Sequence, residues 1–160
     1  MIHSRLLILF LLLFFKQGYA QSDSLHTFSF ENVDSLNAVK SKNVLVFFHT
    51  DWCKYCQLMN ETTFKDKAVI ELLNDNFYFV PFDPESETDI EFAGRKFKYI
   101  PNGKETGMHE IAIALAKIDG KINYPSICML NQNYEIVFQY NQFLSAPDLI
   151  KVLGEVLAKK

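Results

Sequence analysis

The chain has 160 residues, a formal net charge of −3 and 49% hydrophobic residues. That length supports one domain with a sizeable core, and the mildly acidic balance offers no basic patch of the kind nucleic-acid binding requires. Its three cysteines are too few, and two of them too close, for a disulfide framework, so they point to redox chemistry instead.

Read in chain order, Met1 to Arg5 is a short, positively charged start, followed by the unbroken apolar run Leu6 to Phe15. Ten residues make a helix about 15 Å long, half the roughly 30 Å of a hydrocarbon core. Small residues at Gly18 and Ala20 fit signal-peptidase cleavage before Gln21. Residues 1–20 are therefore predicted to be a signal peptide and the mature chain to be exported, periplasmic or secreted; an uncleaved anchor is the alternative. Removing Arg5 and Lys16 takes the formal charge from −3 to −5.

Residues 21–32 read as a leader, loose over Ser22 to Thr27, and 33–160 as the domain. Val33, Leu36 and Val39 recur at helical spacing up to Lys40. Val44 to Phe48 is a continuous apolar run, as in a buried strand of a parallel or mixed sheet. A helix is predicted from near Cys53, and a second, capped by Asp66, through Leu73. Phe77 to Phe82 reads as a strand stopped by Asp83-Pro84. Ile90 to Phe92 and Lys96 to Tyr99, separated by Ala93-Gly94-Arg95, read as a small hairpin insertion that Pro101-Asn102-Gly103 ends. A helix over His109 to Ile118 is closed by Asp119-Gly120. Ser126 to Leu130 and Glu135 to Tyr140 form a hairpin, and Ser145 with Asp148 opens a last helix that tolerates Pro147 in its first turn. The order is β-α-β, an insertion, then α-β-β-α: an α/β fold with a mixed central sheet flanked by helices.

The run Trp52-Cys53-Lys54-Tyr55-Cys56 sits where the first strand meets a helix. A sulfur at a helix N-terminus faces unpaired N–H groups and the positive end of the macrodipole, which favour the thiolate that attacks disulfides. Lys54 reinforces that effect and Asp51 opposes it, and His49 at the strand end is a further tuner. Cys56, one turn on, can close a disulfide with Cys53 or resolve a mixed disulfide formed by it. A structural disulfide closing so short a loop removes little chain entropy. A zinc site needs two further ligands, and Cys128, His26, His49 and His109 show no paired spacing, so no metal and no cofactor is expected. Cys128, in Ile127-Cys128-Met129-Leu130, reads as a buried, inert core thiol. His109 with Glu110 reads as a helix surface pair or a satisfied packing contact.

Val44 to Cys56, with Trp52 before the first cysteine, resembles the active-site strand and motif of the thioredoxin-like family. Tyr124-Pro125-Ser126, 69 residues beyond Cys56, resembles that family's cis-proline loop, and the longer form with Met59, Phe64, the insertion and His109-Glu110 is similar to exported bacterial members. The resemblance covers about Val33 to Lys159. It implies that Pro125 is cis and packs against the cysteines, and that Trp52, Tyr55, Tyr124 and Pro125 contact substrate; the alternatives are a core role for Trp52, simple exposure for Tyr55 and an ordinary trans turn at Pro125. It also implies protein disulfides as substrates and a membrane thiol donor as recharging partner; a monomer is expected, though the sequence itself leaves the oligomeric state open. The chain departs from thioredoxin at Phe47, where thioredoxin buries an acid six residues before the first cysteine, and in Lys54-Tyr55 between the cysteines. Neither the direction nor the strength of its redox function follows from the family. A non-catalytic binding or chaperone-like module, using Trp52, Tyr55 and Tyr124 as a docking surface, is the alternative. A metallochaperone holding Cu(I) on the two sulfurs is the third.

Overall fold

The computed structural model of the chain describes residues 24–159, residue 105 apart; the predicted signal segment over 1–20 lies outside them. The apolar run Val44 to Phe48 becomes β1 (Asn43–Phe48), buried over Val44 to Phe48 because it occupies the middle of a sheet. On one side β1 pairs in parallel with β2 (Phe77–Phe82); on the other it pairs antiparallel with β7 (Ser126–Leu130), which pairs antiparallel with β8 (Ile136–Tyr140). Pro81 lies in β2, an edge strand, where a missing N–H is tolerated.

The period of two divides the core. Val44, Val46 and Phe48 face one apolar cluster with Cys128 and Leu130; Leu45 and Phe47 face the other with Ile127 and Met129. The second face is covered by α2 (Lys54–Glu61), α3 (Lys67–Asn76) and α5 (Ala146–Ala158). Asp66 caps α3 through the Ala68 and Val69 amides, and Ser145 caps α5 through the Asp148 amide, with a proline in its first turn. The first face is covered by α1 (Phe30–Asn37), α4 (Glu110–Leu115) and the insertion.

Helix α1 starts at Phe30, earlier than the periodicity from Val33 suggests. Ser29 and Asn32 form a capping box, and Phe30 is 2% exposed. Asn replaces the usual Glu or Gln at the third position, so the pattern is easily passed over. The leader is not loose over its described part. Thr27 bridges in parallel to Phe79, the Phe28 amide donates to Phe79 O (2.9 Å), and Asn74 holds the His26 amide and the Ser24 carbonyl.

The insertion holds two ribbons where one was predicted. The first, β3 (Ile90–Phe92) with β4 (Arg95–Phe97), turns through Ala93 and Gly94, both at positive φ (53° and 69°), so Arg95 belongs to a strand rather than the loop. Pro101-Asn102-Gly103 does not end the hairpin but opens a second one, β5 (Tyr99–Pro101) with β6 (Gly107–His109). Gly107 is required there, since a Cβ would collide with the Tyr99 ring and the Ile100 carbonyl. Helix α4 is shorter than the predicted 109–118. Ile118 and Lys121 exchange backbone bonds around Asp119 and Gly120, both at positive φ, so the end of that stretch is a tight turn.

Candidate active site

Parallel strands share their C-terminal ends, so β1 and β2 deliver His49-Thr50-Asp51 and Asp83-Pro84-Glu85 to the same rim. The N-terminus of α2 opens there. Cys53 is its N-cap: its amide donates to Thr50 O (3.1 Å), and its sulfur accepts from the Cys56 amide (3.1 Å). Cys56 lies one turn along, its Cα 5.2 Å from that of Cys53, and the two form a disulfide. Cys53 keeps 5% exposure and Cys56 only 1%, so the first cysteine is the more accessible of the two.

The side chains around the pair are unevenly exposed. Trp52 and Tyr55 stand out at 65% and 63%, while Asp51 and Lys54 are exposed beside them. The Trp52 ring meets Tyr124 edge-on at 6.0 Å, and its Nε1 donates to the Glu85 carboxylate (3.1 Å to Oε1). The Tyr124–Pro125 bond is cis, Pro125 is buried, and Tyr124 packs on the cluster that contains both cysteines. Burial, with Glu85 and Asp83 adding to it, pushes the Tyr124 phenol up to about 12, so it stays neutral. Every residue expected around the dithiol is thus gathered at one end of the sheet.

His49 is half-buried, its ring stacked on Phe47 at 5.4 Å, and its amide donates to Phe82 O (3.1 Å). Burial lowers its pKa, against the pull of Asp83 and then Asp51. Phe47 is fully buried, packed against Phe64 and Phe79.

Sequence reasoning passed over Glu85, Asp83 and Phe143. Glu85 fixes Trp52, Asp83 accepts from the Glu85 amide (2.9 Å), and Phe143 meets the Tyr55 ring at 6.4 Å. The signal for the two acids was available: once β1 and β2 are read as parallel neighbours, the loop after β2 must emerge beside the motif. Nothing in the spacing marks Phe143. Thr50 Oγ1 and Ser126 Oγ are buried without a hydrogen-bond partner among the described residues.

Cys128 and His109 lie away from the dithiol layer, on the opposite sheet face. Cys128 is fully buried and free, and burial pushes its thiol up to about 12. His109 is not a surface residue: it is fully buried, caps α4 by accepting the Ile111 amide at Nδ1, and donates from Nε2 to Thr88 O (3.1 Å). Glu110 accepts the Lys98 amide instead (2.8 Å). Among the described residues there is no group of three or more His, Cys, Asp or Glu placed to hold a metal ion, and no helix is long and apolar enough to cross a membrane.

No curated protein matches the chain in sequence. Among solved structures it is similar to the oxidoreductase DsbH (TM-score 0.62, 11% identity, covering 92% of this chain and 94% of that one). It is similar also to a thioredoxin from Thermus thermophilus (0.60, 21%, covering 85% and 89%) and to a putative disulphide-isomerase from Bacteroides thetaiotaomicron (0.58, 22%, covering 88% and 99%). At these identities the likeness is one of fold. The family model described as a thioredoxin-like domain matches residues 31–157, nearly all of the described chain. The chain belongs to the thioredoxin-like family.

Proposed function

We propose that the protein is an exported thiol–disulfide oxidoreductase that reduces or exchanges disulfides in protein substrates. Reduced Cys53, as thiolate at the tip of α2, attacks a substrate sulfur; Cys56 then attacks Cys53, releases the reduced substrate and leaves the disulfide. The observation that carries this reading is the pair itself: two sulfurs within bonding distance at a helix N-terminus, the outer one capping that helix, with a cis-proline loop on the same cluster. Trp52, Tyr55 and Tyr124 form the surface on which the substrate segment rests, and the backbone before Pro125 offers it an extended strand to pair with. Lys54 and Asp51, both exposed, set the charge around Cys53. A membrane thiol donor returns the dithiol, and the enzyme works as a monomer.

Reduction of a model protein disulfide by the purified protein is the test: wild type cycles between dithiol and disulfide, and Cys53→Ser reduces turnover to background. Full activity in that variant, or no cycling in wild type, ends this reading. Exposed Trp52 and Tyr55 also suit a binding module; in that case Cys53→Ala leaves partner binding intact while redox assays stay blank in wild type. Export rests on the N-terminal pattern and predicts a mature protein beginning at Gln21, read by N-terminal sequencing.

A further inference from the structure

The exchange poses a proton problem at its second step. Cys56 must be a thiolate to attack Cys53, yet it is 1% exposed, and burial disfavours the charged form. A thiol of ordinary pKa near 8.5 is only about 3% ionised at pH 7. The buried side chains clustered with it, among them Phe47, Met59, Phe64 and Phe79, are apolar and accept no proton, and the Tyr124 phenol packed against them is held neutral.

We propose that His49 is the base that takes the Cys56 proton, an assignment that rests on the oxidoreductase reading above. Phe47 points into the layer that holds Cys56, and His49, two residues on, is stacked on the same side of it at 5.4 Å and 22°. The strand therefore carries the imidazole from beneath the dithiol layer to its rim, where the loop to Cys53 begins. Its amide is fixed to Phe82 O, while the ring nitrogens make no hydrogen bond among the described residues. The charged groups facing it are Asp83, from the end of β2, and Asp51, from its own loop; burial outweighs both and keeps the ring neutral at neutral pH. A neutral, half-buried imidazole with an uncommitted lone pair is a base. Of the carboxylates at this rim, Asp83 takes the Glu85 amide, Glu85 takes the Trp52 indole N–H, and Asp51 stands exposed to solvent.

Cys56 Sγ–H gives its proton to a His49 ring nitrogen, directly or across one water. The Cys56 sulfur attacks Cys53 Sγ, the Cys53–substrate bond breaks as the Cys53–Cys56 bond forms, and the electron pair leaves on the substrate sulfur. That sulfur takes the proton back from the imidazolium. Over both steps the protein dithiol loses two electrons and the substrate disulfide gains them.

Stopped-flow mixing of the reduced protein with dithiobisnitrobenzoate separates the two steps. The first release of thionitrobenzoate depends on reagent concentration and reports Cys53; the second does not, and reports resolution by Cys56. In wild type the second phase should rise with pH through a group below 6.5 and then stay flat across neutrality. His49→Phe, which keeps a ring on Phe47, and His49→Gln should both slow it at least about thirty-fold at pH 7 and move its limb above the ordinary thiol value of about 8.5, with the first phase unchanged. A wild-type second phase in both variants overturns the assignment. So does equal slowing of both phases at every pH, or transfer of the effect to Asp83→Asn. Absence of a first phase in wild type overturns the oxidoreductase reading, and this one with it.

Discussion

Cys56 and Cys128 are shut away from solvent to the same degree, at 1% and 0% exposure, but against different backbones. Cys56 lies in the first turn of α2, where its amide donates to the Cys53 sulfur and carbonyl and the Lys54 and Tyr55 N–H groups before it precede the first intrahelical bonds. Cys128 lies mid-way along β7, paired with Val46 on one side and Gln139 on the other, where the ladder bonds take up the backbone groups. Burial alone then acts on it and pushes its thiol up to about 12. On the oxidoreductase reading, the difference in backbone is what separates a buried sulfur that reacts, at the end of a helix, from one that only packs, in the middle of a strand.

The widest test of that contrast is a matched pair of substitutions. Cys56→Ala should abolish multiple turnover and let the Cys53 mixed disulfide accumulate, seen as a mass adduct. Cys128→Ala should keep wild-type turnover, and a Cys128 that reacts with a thiol reagent in the folded protein would erase the distinction between the two sulfurs. Next in size, Phe47→Ala should cost about 3–5 kcal/mol in urea unfolding, because it empties the layer beneath Cys56 where the ring packs on Phe64 and Phe79. A much smaller loss would mean that the dithiol layer is less tightly packed than the Cys128 face.

The smallest effect belongs to the far face. Burial lowers the pKa of His109, so as pH falls below the ordinary histidine value of 6.5 the unfolded chain takes up a proton that the folded chain refuses. Stability should therefore decline below pH 6.5 and level off only once the folded-state value is passed. His109→Asn, which keeps a capping acceptor without titrating, should flatten that part of the denaturation profile. An unchanged slope would remove His109 from the account.

The sheet and its helices were legible because long apolar runs and helical spacing state their own period: Val44 to Phe48, Phe77 to Phe82 and the capped helices at Asp66 and Ser145 fall where expected. The dithiol was legible for the same local reason, since cysteine spacing and the strand–helix joint lie within one stretch of chain. What was hidden depends on contacts between distant residues. The Tyr99 ring lying against Gly107 makes the second ribbon, and Asn74 ties down the segment from Ser24. Glu85 joins the site only because β2 runs parallel to β1. His109 stayed open between a surface pair and a satisfied packing contact, and proves to be the second, because a lone histidine beside a glutamate carries no sign of which way it turns.

The Thr27 bridge reaches beyond the segment it anchors. With Thr27 and Phe28 occupying Phe79 and Pro81 lacking an N–H, the outer rim of β2 is interrupted as a template for another strand. Lateral growth of the sheet is thereby restricted to the opposite border, along Ile136–Tyr140.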